Sequence, residues 1–522
     1  MHIEYIEGWD GFKALRDDWD SVCDADPEAH FFLTWQWLAD WFNTYRSIWF
    51  ILAAKPDENS EHYVAFLPLR MKTVFDKTNG FSNEIFFAGA GFSDYAGILC
   101  RPEFEDEAVP AFSEYVKRNL IWSRFTMDNL MMSERRRRQF LNGFEKTRFN
   151  EKPIQYRFVN DPSNHGLCPR VNLPESWDAY LAMLSSNNRQ KIRRLLKKVD
   201  AGKEYRITFA EPEDFDQGLT TLLDFWQIKW APTKGAQVKD IAWSMHRMML
   251  FSGQAGRLML PIFWHGDRPV AALALLVDQP RKSLLFFVTG RDETYEEMPA
   301  GYLLHAHCIR YAIANGFTHY DFLKGNEPYK YLFAPETRYL KAVSVIPKTG
   351  RNRLDPKGLP AMLDATLDLE NKGQIADAEL GYRQILELAP EDGLALYRYG
   401  RLKANQRAHV DAKELLSRSV AADPDGDNAW LLLGRSLQAL GEDAAALEAY
   451  RTVVKLNPQN EAAKKLVLEL NLAAKPVVSA PKIEIGKAIP PRPRPIDLSA
   501  IDPTAETLRQ MVEASKRVKI SG

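Results

Sequence analysis

Residues 298–330, MPAGYLLHAHCIRYAIANGFTHYDFLKGNEPYK, contain a turn, a helix, a strand and a charged loop in succession. Ala300 and Gly301 open the predicted helix, and Asn315 and Gly316 are typical of a helix end. The aliphatic and aromatic residues 318–323 then predict a strand. Because the N–H groups of a helix N-terminus lack partners within the helix, the start of this helix is a candidate anion site.

The predicted strand and the loop after it bring two acids, two cations and a phenol to one edge of the sheet. These side chains lie within ten residues and are Asp321, Lys324, Glu327, Tyr329 and Lys330. The segment therefore offers an acid, a base and cationic donors close together. A second interpretation stays open at this point. In it, small residues merely cap a helix and the charged loop is solvated.

The rest of residues 1–350 predicts further strands and helices. Candidate strands span residues 49–54, 63–71, 123–131, 258–264, 270–277 and 283–289; candidate helices span 35–44, 177–200, 215–229 and 240–252. Turn-forming residues at 160–166 divide this region. We expect an α/β (α+β) fold with mixed sheets and two related domains, residues 1–160 and 167–350.

Prolines recur at a period of 34 residues after this region, at Pro390, Pro424 and Pro458. Gly400 and Gly434 keep the same spacing, which is that of a helix-turn-helix repeat. Residues 359–470 therefore resemble the tetratricopeptide repeat family and predict an all-α solenoid that binds a protein partner. Residues 471–522 contain a Pro-rich linker and are expected to form a disordered tail with a possible short helix.

Composition restricts the class of protein. The 522 residues are 45% hydrophobic and 26% charged, which excludes wholesale disorder, and 68 Lys and Arg nearly balance 69 Asp and Glu. The four cysteines lack the spacing of a zinc site, so we expect a reducing compartment and no metal. No signal peptide is visible and the longest apolar run is far short of a membrane span, so we expect a cytoplasmic protein without a transmembrane segment.

Two more groups of residues are candidates for ligand binding. A basic helix contains Arg193 and Arg194, which either attract a phosphorylated ligand or form a solvated face. Trp226, Lys229 and Trp230 either line a sugar or acyl pocket or belong to the core. Motifs of ATP hydrolysis, dinucleotide binding, zinc proteolysis and serine hydrolysis are missing. We interpret His305 and His307 as core or surface residues, since they point to different helix faces.

The helix start and the loop together resemble the acetyltransferase-like domain of the CelD family of polysaccharide-biosynthesis proteins, within the GNAT superfamily and related to Fem-type aminoacyltransferases. The aromatic residues 31–41, the Ser93, Asp94 and Tyr95 triplet and residues 185–194 extend the resemblance over about 5–348. It implies two GNAT-like domains with the acyl-transfer site in the second.

The resemblance implies a bacterial N-acyltransferase that moves an acyl group from acyl-CoA to an amine of a sugar or glycan precursor, such as a nucleotide sugar, in polysaccharide or cell-envelope synthesis. With this reaction in view, we expect donor binding at Ala300, Gly301, Tyr302, Arg193 and Arg194. We expect substrate binding at Trp226, Lys229, Trp230, Asp94 and Tyr95.

In the charged loop, Glu327 or Asp321 is the expected base. Lys330 or Lys324 is expected to hold a phosphate or the oxyanion, and Tyr329 to protonate the leaving group. Two alternatives stay open. One is a Fem-type enzyme whose donor is aminoacyl-tRNA, and the other is a repeat adaptor with a degenerate GNAT-like module.

Overall fold

The computed structural model describes residues 1–45, 47–156, 166–202, 204–350 and 354–473. The strands, in chain order, are β1 His2–Ile6, β2 Ile48–Lys55, β3 Ala65–Asp76, β4 Gly80–Phe87, β5 Leu99–Cys100, β6 Arg124–Leu130, β7 Phe149–Pro153, β8 Leu167–Asn172, β9 Tyr205–Phe209, β10 Leu258–Met259, β11 Pro261–His265, β12 Arg268–Asp278, β13 Ser283–Arg291, β14 His319–Asp321, β15 Glu336–Tyr339 and β16 Lys341–Pro347. Most of the tail expected at 471–522 lies outside the described residues.

The α-helices, in chain order, are α1 Gly8–Ala14, α2 Arg16–Ala25, α3 Trp35–Thr44, α4 Glu105–Asn119, α5 Glu134–Asn142, α6 Trp177–Met183, α7 Ser186–Asp200, α8 Phe215–Lys234, α9 Gln237–Gln254, α10 Ala300–Ala314, α11 Leu359–Asn371, α12 Ile375–Leu388, α13 Gly393–Asn405, α14 His409–Ala422, α15 Asp427–Ala439, α16 Asp443–Leu456 and α17 Glu461–Ala473. The single helix predicted over 177–200 is two helices, because the Ser185 hydroxyl caps a new N-terminus at the Asn188 N–H.

Two mixed sheets form the first 350 residues, so the predicted α/β fold with mixed sheets is confirmed. The first sheet has the order β1-β2-β3-β4-β6-β16-β7, and the second has the order β15-β8-β14-β13-β12-β11-β9. Each sheet contains one parallel pair connected by a helix, β4 and β6 through α4, and β13 and β14 through α10. We call residues 1–160 the first half and residues 167–350 the second half of this two-sheet region. The two halves therefore share one strand-helix-strand arrangement.

The last strand crosses from the second half into the first sheet. Strand β16 pairs with β6 and β7, although the sequence groups residues 341–347 with the second domain. A hydrophobic cluster with members from both halves fills the space between the sheets, and the rings of Trp37 and Phe287 meet there with centroids 5.7 Å apart. The Arg257 guanidinium also donates to the Asp40 carboxylate at 2.9 Å. The two halves are thus packed as one body.

The helical repeats pack against the first sheet through their first hairpin, α11 and α12. Phe81 of β4 belongs to the same hydrophobic cluster as Met362 and Tyr382. The Gln384 side chain accepts from the Phe81 N–H at 2.6 Å and lies 3.3 Å from the Phe81 carbonyl, to which it donates. The predicted repeat solenoid is confirmed, and its first unit is attached to the preceding domain.

A cleft between two parallel strands as the candidate active site

Strands β13 and β14 pair only over Ser283–His319, Leu284–Tyr320 and Leu285–Asp321, and then separate. After Asp321 the chain follows β8, where Phe322 N–H donates to the Pro169 carbonyl at 2.9 Å, while β13 continues along β12. The separation opens a cavity of about 470 Å³ beyond the ends of the paired segment. A crevice outside the carboxyl ends of parallel strands is where α/β sheets commonly bind ligands.

The cavity brings together most of the residues that the sequence singled out. Its lining includes ten of them, namely Asp94, Trp226, Lys229, Trp230, Gly301, Tyr302, Lys324, Glu327, Tyr329 and Lys330. They come from both halves of the chain and from α8, α10 and the loop after β14. We call this cavity the strand cleft.

The start of α10 forms one wall of the strand cleft. A Cβ placed on Gly301 would meet nothing within 4 Å, so the glycine leaves open space where the cleft lies. Tyr302 is 8% exposed, and its hydroxyl has no hydrogen-bond partner among the described residues. Burial raises the pKa of Tyr302 to about 12, so the phenol stays protonated and can donate to a ligand.

The loop after β14 is held in a strained conformation that presents Glu327. Leu323 adopts φ 54°, a left-handed conformation that is costly for a branched side chain. Gly325 has φ 136°, and a Cβ there would lie 2.7 Å from Lys330 Nζ. Lys330, only 2% exposed, pairs with the Glu327 carboxylate at 2.9 Å and donates to the Lys324 carbonyl at 3.2 Å.

The first half reaches the strand cleft through Asp94. The Asp94 carboxylate accepts from the Lys324 N–H at 3.2 Å, and burial raises the pKa of Asp94. Lys324 Nζ donates to Asn129 Oδ1 at 3.1 Å. Lys324 and Lys229 form no ion pair with a described carboxylate, which leaves both ammonium groups available to an anionic ligand.

Asp321 and Tyr95 lie outside the strand cleft, on the other face of the second sheet. The Tyr95 hydroxyl lies 2.9 and 3.0 Å from the two Asp321 carboxylate oxygens. Arg338 is 3.6 Å from the same carboxylate, whereas burial raises the pKa of Asp321. The pair joins the two halves of the chain, and the structure separates Asp321 from Glu327.

Three further predicted residues do not line the strand cleft. Ala300 is buried beside it in the core, at 3% exposure. Arg193 and Arg194 are exposed on α7, and Arg193 lies 3.9 Å from Asp178. The apolar face of α7 packs inward and its basic face is solvated, which was the alternative interpretation of this helix.

The sequence missed His305, which lines the strand cleft and packs against Tyr329 with ring centroids 5.6 Å apart. Its Nδ1 lies 2.8 Å from the Tyr320 hydroxyl. Burial and the nearby Lys330 lower the pKa of His305 to about 3, so the ring is neutral. Position 305 is one helical turn after Gly301, so both residues lie on the same face of α10. This spacing could have indicated from the sequence that His305 lies at the same site as Gly301.

The corresponding gap in the first half is filled by the protein itself. Strands β4 and β6 pair over Glu84–Arg124 to Phe86–Thr126, and Ala96 then forms a parallel bridge with Leu130. The Ala96 N–H donates to the Asn129 carbonyl at 2.8 Å. The inserted segment carries Asp94 and Tyr95 to the second half, so the strand cleft exists only where the gap is open.

Outside the strand cleft, Glu204, His265 and Glu297 offer ligand atoms within 4.8 Å of one another, with both carboxylates exposed. The His265 ring lies 3.0 Å from Glu204 and 3.5 Å from Glu297. Ion pairing of the acids with the ring explains this arrangement. In the described part of the chain, no helix has both the length and the apolar character of a membrane span.

Two family models match parts of the chain. Residues 186–331 match the family model of the acetyltransferase (GNAT) domain, which covers α7, α8, α10 and the loop of the strand cleft. The chain therefore contains a GNAT-type acetyltransferase domain at residues 186–331, which supports a transferase. Residues 406–470 match the tetratricopeptide repeat model, so the chain combines this domain with tetratricopeptide repeats.

Solved structures with related folds share little sequence with the chain. FemX is 11% identical, covers 65% of this chain and 96% of its own, and has a TM-score of 0.47. A conserved protein of unknown function from Bacteroides thetaiotaomicron VPI-5482 is 12% identical, with 66% and 100% covered and a TM-score of 0.40. MamA from Desulfovibrio magneticus RS-1 is 23% identical, with 22% and 65% covered and a TM-score of 0.21. None of the curated proteins matches the chain.

Proposed function

We propose that the protein is an N-acyltransferase that moves an acyl group from acyl-CoA to an amine of a sugar or glycan precursor. The strand cleft carries this proposal, because it joins an open helix start, the free hydroxyl of Tyr302 and the unpaired cations of Lys229 and Lys324 within one GNAT-type domain. The resemblance to the CelD family supports a glycan acceptor in bacterial polysaccharide or cell-envelope synthesis in the cytoplasm.

The donor's diphosphate is proposed to lie at the start of α10. Backbone N–H groups at a helix N-terminus and the positive end of the helix dipole favour phosphate. Gly301 leaves room for close approach of a ligand, and Tyr302 offers a hydrogen bond that the described residues leave unused. Lys229, which also lines the strand cleft, adds a positive charge.

Glu327 is proposed as the base. The acceptor ammonium loses a proton to Glu327, directly or through water, and its nitrogen then attacks the thioester carbonyl carbon. The C–N bond forms, the C–S bond breaks, and the thiolate takes a proton from Tyr329. The attacking nitrogen gives up its second proton to the Tyr329 phenolate, directly or through water, so that the amide is neutral and Glu327 holds the one proton released. Burial raises the pKa of Tyr329, which keeps the phenol protonated until that step. Positioning of both reactants supplies roughly 7 to 11 kcal/mol.

Lys330 is proposed to position Glu327. Its ammonium already lies near three acceptors, the Glu327 carboxylate at 2.9 Å and the Lys324 and Gly325 carbonyls at 3.2 and 3.5 Å. An ammonium has three N–H donors, so none is left for a phosphate. Lys324, which donates to Asn129 and lies over the Tyr156 ring, makes fewer hydrogen bonds than Lys330 and is the better candidate to stabilise the oxyanion.

The test is calorimetric titration with CoA, followed by a thiol-release assay with acetyl-CoA and amino sugars. We expect CoA to bind and an amino sugar to accelerate thiol release. Binding of tRNA with a steep salt dependence, and none of CoA, would instead support an aminoacyl-tRNA donor. A protein that binds neither donor would be an adaptor.

The tetratricopeptide repeats are proposed to bind a protein partner, since stacked helical hairpins form an extended surface suited to that role. Exposed Leu394 and Val410 on these helices are apolar positions available for contact. Binding through the repeats would bring the transferase to its pathway without any change in the strand cleft.

A further inference from the structure

A second cavity, of about 480 Å³, lies between the two halves on the face of the second sheet opposite α10. Leu285, Asp321 and Arg170 lie side by side across β13, β14 and β8 in the strand register. Directly paired residues point to the same face, so all three side chains face the first half. The alternate residues Phe322 and Phe286 face the strand cleft instead. We call this second space the inter-half cavity.

Three guanidinium groups line the inter-half cavity, those of Arg170, Arg281 and Arg338. Arg281 is fixed by Asp278 at 3.2 Å and by the Cys23 carbonyl at 3.0 Å. Arg338 lies near Asp321 and contacts the sulfur of Met131. Arg170 forms no ion pair with a described residue, and its buried Nε has no hydrogen-bond partner there.

His30 provides a second, independent sign of a missing partner. It is 9% exposed and lines the inter-half cavity; its ring lies near the Ala96 backbone, and neither ring nitrogen makes a well-formed hydrogen bond with a described residue. Burial and the neighbouring Arg281 and Arg338 lower its pKa to about 3, so the ring is neutral and keeps one N–H donor. Buried polar groups of this kind are normally paired, which points to a polar ligand.

The carboxylates of the inter-half cavity already have donors. Glu28 accepts from the Ser133 N–H at 2.7 Å, and Asp278 is paired with Arg281. Asp321 is bonded to the Tyr95 hydroxyl at 2.9 Å. The cationic group left without a partner among the described residues is therefore Arg170, which suits an acceptor-rich anion.

We infer that the inter-half cavity binds an oxyanionic ligand, a phosphate or a carboxylate. Arg170 supplies the free guanidinium, and Arg281 and Arg338 add positive charge held in place by the walls. Asp321 faces this cavity while its neighbour Phe322 faces the strand cleft, so the anion site lies on the far side of the sheet from the proposed donor and Glu327.

The test is calorimetric titration of the full chain with inorganic phosphate and, separately, with malonate, both after saturation with CoA. We expect at least one anion to bind, and we expect Arg170→Gln to weaken that binding roughly 10- to 100-fold, as for loss of a charge-assisted hydrogen bond. Arg118→Gln, at an exposed arginine in the first half, serves as the matched control. The anion that binds identifies the phosphate or the carboxylate as the source.

Three results would overturn the inference. The first is that neither anion binds at millimolar concentration, and the second is that Arg170→Gln binds the anion as tightly as the parent protein. The third is that the anion binds only before CoA is added, which would place it in the strand cleft. If Arg170→Gln fails to fold, Arg170→Lys replaces it in the titration. Lysine keeps the positive charge but not the planar guanidinium, so we expect the Arg170→Lys protein to bind the anion more weakly than the parent. Failure of CoA to bind would contradict the proposed function but would leave the anion titration readable.

Discussion

At the scale of single residues, the strand cleft depends on a few side chains that occupy unusual positions. Gly325 is one of them, because its φ of 136° and its missing Cβ allow Lys330 to fold beneath the loop. Lys330 is only 2% exposed, although a lysine in a charged stretch of sequence is normally expected at the surface. The loop around Glu327 is therefore an ordered structure supported by a buried lysine, and not a solvated turn.

Glu327→Gln should lower the rate of acyl transfer roughly 100- to 10,000-fold, because it removes the proton acceptor and keeps the shape. Glu327 is 53% exposed at its side chain, so thermal unfolding should change little. Two quantities are measured, kcat with acetyl-CoA as the donor and the affinity for CoA by calorimetry. The affinity for CoA should stay at the parent value.

Two comparisons check this result. Glu296→Gln removes an exposed carboxylate of the same domain and should leave kcat unchanged. Lys330→Met should differ from both, since loss of the bonds to the Lys324 and Gly325 carbonyls should cost about 1 to 3 kcal/mol of stability as well as activity. A Glu327→Gln enzyme with full activity would remove Glu327 from the mechanism.

Gly301→Val tests the position of the donor. The fold has open space there, so the variant should unfold within a few degrees of the parent, while the added side chain fills the strand cleft at the start of α10. CoA affinity should fall, with Gly301→Ala between the two. Unchanged affinity of Gly301→Val in calorimetry would place the diphosphate elsewhere.

His305 should make stability depend on pH. Its pKa of about 3 in the folded protein lies below the ordinary 6.5, so the unfolded chain binds a proton between those values that the folded protein does not. Stability is therefore present above pH 6.5 and is lost as the pH falls toward 3, by up to about 1.4 kcal/mol per pH unit.

Thermal unfolding between pH 7 and 4.5 measures this effect. His305→Asn should flatten the slope relative to the parent, because asparagine can keep the hydrogen bond to Tyr320 without titrating. Equal slopes for the parent and His305→Asn would contradict the expected burial of a neutral ring.

At the scale of elements, the same strand-helix-strand arrangement has two outcomes. In the second half the gap beyond β13 and β14 is open and forms the strand cleft. In the first half Ala96 bridges Leu130 and the gap is closed. Topology alone therefore does not determine a site, because the segment between the parallel strands decides whether the gap stays accessible.

The contact between α12 and β4 is a second element-scale feature. Gln384→Ala should cost about 1 to 3 kcal/mol, because the Phe81 N–H and carbonyl lose their side-chain partner while they stay buried. Glu387→Ala, at an exposed position of the same helix, is the control and should change stability by less than about 0.5 kcal/mol. Urea unfolding of both variants measures the difference, and equal midpoints would show that the contact is dispensable.

At the scale of the whole molecule, the first repeat belongs to the body that the two sheets form. A chain ending at Gly350 would expose Phe81, which is 1% exposed in the full protein, whereas a chain ending at Ala389 keeps its cover. We expect the longer chain to keep CoA affinity and to be more stable by about 1.5 to 3 kcal/mol for this ring alone. Equal unfolding temperatures of the two chains would mean that the repeats are an independent arm.

The sequence by itself determined the classes of element and most members of the strand cleft. Periodicity and turn residues predicted α3, α10, β13 and the 34-residue repeats, because these patterns depend on neighbouring residues in the chain. Glu327, Tyr329 and Lys330 were found for the same reason, since they lie in one short loop next to a strand.

Only the tertiary structure decided which of these residues meet. It placed Asp321 on the face opposite Glu327, although both lie in one short segment, because Asp321 ends β14 and Glu327 belongs to the loop that turns at Leu323 toward the strand cleft. It brought Asp94 to Lys324 across 230 residues, moved β16 into the first sheet and fixed the first repeat on β4. Such contacts depend on packing between distant segments, and no local pattern of residues encodes them.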